Sequence, residues 1–106
     1  MRISFYLIIF CSYFTANSQD FFDDKIEINK QIEELNILIA QNPSAENYYY
    51  RGYNNYLDQN YDDALSDYNQ ALSLSPNDFN IYFSRGNLNI KLKEYKSAIS
   101  DFSKCI

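Results

Sequence analysis

From Lys25 onward the apolar residues fall at Ile28, Ile32, Leu35 and Ile39, with Leu38 beside them. Steps of four, three and four residues lay one stripe along an amphipathic helix. That helix ends near Asn42, because Pro43 pushes its predecessor out of helical angles. Before it, Gln19 to Asp24 reads as a frayed polar lead with two phenylalanines, in which Asp23 or Asp24 caps the helix. Further helices follow at about residues 45–57, 61–73 and 79–92, and a fifth runs from Tyr95 to the C-terminus. Between them stand polar turns, Asp58-Gln59-Asn60, Ser75-Pro76-Asn77-Asp78 and Lys93-Glu94. Asn60 or Asp62 is placed to cap the third helix, and the Ser75–Asp78 break caps the fourth.

The pattern repeats. Tyr48, Arg51, Gly52, Asn55, Tyr61, Ala64, Ser66 and Asp67 return as Tyr82, Arg85, Gly86, Asn89, Tyr95, Ala98, Ser100 and Asp101, each 34 residues later. Conservative pairs keep the same offset: Tyr49/Phe83, Leu65/Ile99, Tyr68/Phe102, Ala71/Cys105 and Leu72/Ile106. A fixed period of this size marks helical units that bury their apolar faces by stacking. Gly52 and Ala64 are small where antiparallel helices must approach, and Tyr61 and Tyr68 fill the space beside them. Gly86, Ala98, Tyr95 and Phe102 repeat the arrangement.

Tyr48, Gly52, Tyr61, Ala64, Tyr68, Ala71 and Pro76, with Tyr82, Gly86, Tyr95, Ala98, Phe102 and Cys105 in the second copy, resemble the tetratricopeptide repeat over Ala45 to Ile106. The resemblance implies an all-α fold of helix-turn-helix repeats stacked as a short right-handed α-solenoid. It divides the chain into a leader (1–18), a linker and capping helix (19–44), one repeat (45–78) and a second repeat incomplete at its C-terminus (79–106). The Lys25–Gln41 helix resembles the second helix of a degenerate unit, with Leu35, Leu38, Ile39 and Pro43 matching Tyr68, Ala71, Leu72 and Pro76 after a one-residue slip. The function implied is a scaffold that binds a protein or peptide in a concave groove lined by the first helix of each unit. Groove positions carry over to Glu46, Tyr49, Tyr53, Tyr56 and Leu57, then Asn80, Phe83, Asn87, Ile90 and Lys91. At 100° per residue Tyr49, Tyr53 and Tyr56 lie within about 60° on one helix face. Some members of this family grip a partner's C-terminal carboxylate with Lys and Asn; Asn87 stands at one suitable place, but Phe83 replaces the lysine, so that activity is not carried over. The alternative is a structural or spacer role in a longer exported multi-repeat protein. A last repeat normally carries a polar-faced cap, and here the chain stops on apolar positions, Cys105-Ile106. The expectation is a fragment of a longer array, or an open end covered by self-association of the C-terminal helix.

The N-terminus reads as an address. Met1-Arg2 precedes an uncharged run from Ile3 to Phe14, and Ala16 and Ser18 are small at −3 and −1 from a cut before Gln19. That is the pattern of a secretory signal, which implies export to the periplasm or outside the cell and no membrane attachment after cleavage, the alternative being an uncleaved N-terminal anchor. Ile8-Ile9-Phe10-Cys11 approaches a lipidation box, but Phe10 is too large beside the cysteine. Cleavage leaves Cys105 alone, so the fold uses no disulfide.

Composition narrows the chemistry. Of the 106 residues 46% are hydrophobic and 18% aromatic, with only two glycines and two prolines, which speaks for a folded helical chain. The net charge of −5 argues against nucleic acid, whose phosphates call for a basic stripe. Histidine is absent, which removes the commonest general base. No nucleophile–base pair, phosphate loop or metal cluster emerges, so neither enzymatic activity nor a cofactor is expected. Asp58, Asn60 and Asp62 alternate like the start of a calcium loop, yet Asp63 stands where glycine belongs and Asn69 where glutamate belongs. Turn and cap duty accounts for them better. Asp67 and Asp101 read as solvent-facing helix residues, and Cys105 as a small packing residue in place of alanine.

Overall fold

Five helices follow one another: α1 (Arg2–Gln41), α2 (Ala45–Leu57), α3 (Tyr61–Leu74), α4 (Phe79–Lys91) and α5 (Tyr95–Ser103). This computed structural model describes the backbone of residues 2–106 and the side chains of residues 18–106. Of the side chains on which the leader and Cys11 readings rest, all but Ser18 lie outside the described residues.

Helix α1 is longer than the pattern predicts. Its 40 residues include the whole Gln19–Asp24 stretch, so Asp23 and Asp24 sit inside the helix and cap nothing. The physical reason is that no proline or glycine precedes Pro43, and polar residues alone do not stop a helix. Side-chain bonds one turn apart, Gln19 Nε2 to Asp23 Oδ1 at 3.0 Å and Gln31 Nε2 to Glu27 Oε1 at 3.2 Å, run along its surface. Pro43 ends it as expected. Ser44 then caps α2, its Oγ accepting from Asn47 N at 3.1 Å. Asp78 caps α4 by accepting from Asn80 N at 3.0 Å. Asn60 occupies the cap of α3 without a side-chain bond to its first turn; its amide donates to Asp58 Oδ2 at 3.1 Å instead. Asp62 and Asp63 in that first turn complement the helix dipole.

The turns inside the two units are copies. Gln59 at φ 63° and Lys93 at φ 61° both take the left-handed conformation. Asn60 N bonds Asn55 O at 2.8 Å, and Glu94 N bonds Asn89 O at 2.8 Å. Three-residue turns force α2 against α3, and α4 against α5, as antiparallel pairs. Helix α1 packs on α2, α4 packs on α3, and α2 meets α4 along one side.

Ala64, Tyr68, Ala71, Leu72, Ile81 and Leu88 form the core, with α4 supplying the last two. Gly52 permits the close approach of α2 and α3: a Cβ there would stand 2.8 Å from the Tyr68 ring and 3.1 Å from Asp67 Cβ. Gly86 stands in the same relation to Phe102, at 2.6 Å. Leu35 is the buried anchor of α1 on α2.

Candidate functional site

The ten groove positions divide into exposed and committed residues. Glu46, Tyr53 and Leu57 on α2, and Asn80, Phe83, Ile90 and Lys91 on α4, are exposed; Tyr53 is 44% and Phe83 55% accessible. Tyr49 and Tyr56 are half-buried and pack on the core, and Asn87 is half-buried. The Tyr49 ring lies 5.9 Å from that of Tyr68, and its hydroxyl shares a 3.1 Å hydrogen bond with Ser84 Oγ on α4. Tyr56 leans on Tyr61, with ring centroids 5.9 Å apart. Tyr49 therefore pins α2 to α4 across the two units and fixes their spacing. Tyr50, 47% exposed beside Tyr49 with ring centroids 5.5 Å apart, adds an aromatic that the groove positions did not include. Burial pushes the Tyr68 phenol well above the usual tyrosine value, with Tyr49, Tyr53 and Tyr56 adding to the shift. The floor is thus an uncharged, buried tyrosine with aromatic residues around it.

A second constellation lies where the helices join, and here a sequence expectation is corrected. Asp67 and Asp101 are buried, at 4% and 3% exposure, rather than solvent-facing. Arg51 grips Asp67 with two bonds, Nε to Oδ2 at 2.9 Å and Nη2 to Oδ1 at 2.7 Å. Asn55 Nδ2 donates to Asp67 Oδ2 at 3.2 Å. The remaining Arg51 Nη1 reaches Asn36 Oδ1 on α1 at 3.0 Å. In the second unit Arg85 grips Asp101 at 3.0 and 2.7 Å, Asn89 donates to Asp101 at 2.9 Å, and Arg85 Nη1 reaches Asn69 on α3 at 2.9 Å. Each guanidinium also lies 5.6 Å from a tyrosine ring centre, Tyr48 or Tyr82. The hydrogen bond to the aspartate raises both arginines above their ordinary value, against the opposing pull of burial. A buried bidentate pair with every partner satisfied has a structural role here: it ties three helices together. Asn36 and Asn69 differ by 33, the register of the one-residue slip, so α1 holds α2 as α3 holds α4.

Cys105 also departs from its reading. Its counterpart Ala71 is fully buried, whereas Cys105 follows the end of α5 and is exposed, with Sγ 3.5 Å from Phe79 O. Asp58 of the alternating Asp58, Asn60 and Asp62 pairs with Lys25 at 3.7 Å. Among the described residues no group of three or more metal-binding side chains gathers, and no helix is long and apolar enough to cross a membrane.

Residues 52–93 match the family model for the TPR repeat. Over that stretch the repeating unit is similar to a tetratricopeptide repeat. The stacked helices are similar to a crystal structure of MamA at 26% identity and a TM-score of 0.72, covering 74% of this chain and 47% of that one. A second MamA structure gives 26% identity and a TM-score of 0.71, with 74% and 44% covered. MamA residues 41 to the end from Desulfovibrio magneticus RS-1, at 21% identity and a TM-score of 0.72, shares the fold over 74% of this chain and 45% of that one. The chain therefore spans less than half the length of these structures. No curated protein sequence matches it.

Proposed function

We propose that the chain is a protein-interaction module whose concave face, between α2 and α4, takes a peptide or protein segment. The observation that carries this reading is the split among the groove residues. Tyr49 and Tyr56 are committed to packing, while Tyr53, Leu57, Phe83 and Ile90 stay at least 44% exposed. A rigid frame presenting large apolar side chains, with hydroxyl and amide groups beside them, suits a binding surface. Replacing Tyr53 and Phe83 together by Ser should abolish capture of partners while leaving the melting temperature within a few degrees, since both side chains face solvent. Partners retained at full yield by that double variant would refute the groove.

A second reading, self-association, is favoured by Ile99, which is 70% exposed on α5 although its counterpart Leu65 packs against the core. Sedimentation of the Ile99→Asp variant separates the two: a shift from dimer to monomer with partner capture intact supports association through α5. The leader-like residues 1–18 support export as the location of this activity. The mass of the secreted protein should then correspond to a chain beginning at Gln19, and an intact N-terminus on cytoplasmic material would contradict it.

A further inference from the structure

Helix α1 runs beside the turn that ends α2. The two leave an open cleft of about 550 Å³ between α1 and the Leu57–Gln59 corner. Phe21 and Ile28 from α1 and Leu57 from α2 give it apolar walls. Asp24, Glu27 and Asp58 line it as well, against one ammonium, that of Lys25. Lys25 reaches Asp58 only at 3.7 Å and its side chain is 54% exposed against 15% for Asp58, a loose pair with a solvated ammonium.

Asn54 sits in the same cleft and is 6% exposed. Its Nδ2 donates to Tyr50 O of its own helix at 2.9 Å. Its Oδ1 receives no hydrogen bond from the described residues, yet it is not sealed from solvent. The corresponding residue of the second unit is Leu88, which is fully buried. Packing therefore has no use for an amide at this position; the first unit differs from the second by placing an acceptor at the base of an acidic cleft.

We propose that this cleft binds an arginine side chain presented by a partner protein. The methylene stem would lie along Ile28 and Leu57, the guanidinium beside the Phe21 ring, and its N–H donors would meet Asn54 Oδ1 and Asp58. Three carboxylates against one ammonium, on a chain of net charge −5, supply the charge complementarity. Lys25 is the built-in competitor for Asp58. The site stands independently of the concave groove, with Leu57 the one residue common to both.

The test is an NMR titration of the ¹⁵N-labelled chain with acetyl-Gly-Arg-Gly-amide, compared with the same peptide carrying citrulline, which keeps the shape and removes the charge. Saturable shifts at Asn54, Gln59 and Ile28 with a dissociation constant on the order of millimolar, and at least about 10-fold weaker binding of the citrulline peptide, are expected. Asn54→Leu repeats what the second unit already has, so it should fold and melt as the parent does while losing saturable binding. Asp58→Asn should weaken binding several-fold, and Lys25→Gln should strengthen it. The Tyr53→Ser, Phe83→Ser double variant should bind the arginine peptide as the parent does, so that failure of the groove and failure of this site are told apart. Equal binding of the two peptides, absence of saturable shifts, or binding unchanged in both Asn54→Leu and Asp58→Asn would overturn the proposal. Guanidinium chloride binding as tightly as the peptide would reassign the cleft to a free cation and overturn it too.

Discussion

Gly52 and Tyr68 show how little room single residues have in this stack. A methyl group at Gly52 meets a ring that is fully buried and has nowhere to move. Gly52→Ala should therefore lose about 1–3 kcal/mol to overpacking, set against about 0.5–1 kcal/mol that alanine gains in a helix. Gly86→Ala should cost less although its contact is shorter, because Phe102 is only half-buried and can swing away. Urea unfolding of the two variants measures the difference. Tyr68 also gives a pH signature. Its folded value is raised by burial, so its contribution is fully present below the unfolded value of about 10. Above that, the unfolded chain loses the proton while the folded chain keeps it, and stability falls by up to about 1.4 kcal/mol per pH unit. Tyr68→Phe should remove that slope between about pH 9 and about pH 11. Residue identity also limited what the sequence could say. Tyr49, Tyr53 and Tyr56 share one helix face, and angle alone does not tell which of them packs and which waits for a ligand; the hydrogen bond to Ser84 decides for Tyr49.

At the scale of elements, the aspartates are the instructive error. A charge in a helix ordinarily faces water, and that rule misplaced Asp67 and Asp101. The signal that could have placed them was the joint recurrence of Arg51, Asn55 and Asp67 as Arg85, Asn89 and Asp101. A solvated face has no reason to repeat all three, and a network does. Asp67→Ala should cost about 2–4 kcal/mol, because it strands a half-buried guanidinium and the buried amide of Asn55. Asn36→Ala should cost only about 1 kcal/mol, with the loss concentrated in hydrogen-exchange protection of α1. The helices themselves were legible because Pro43, Pro76 and the polar turns punctuate them. The true length of α1 was not, since nothing in residues 2–41 marks a start or a break.

For the molecule as a whole, the 34-residue period gave the fold, and the slip of one residue extended it to α1. Neither gives the partner. The positions shared between copies build the stack; on the two proposed binding surfaces the copies differ, Tyr53 against Asn87 and Asn54 against Leu88. Because units contact only their neighbours, changes on α1 and on α5 should add. A double variant of Asn36→Ala with Ile99→Asp should show no coupling beyond about 0.5 kcal/mol in thermal unfolding. The reach of Arg51 adds a consequence for biosynthesis. Its partners Asn36 and Asp67, and the Asn55 that shares Asp67 with it, have all been made once the ribosome has passed residue 67, before any of the second unit's clasp exists. Arg85 in turn waits only for Asp101. Each clasp thus closes backwards onto chain already synthesised, and the stack can set one unit at a time as it emerges.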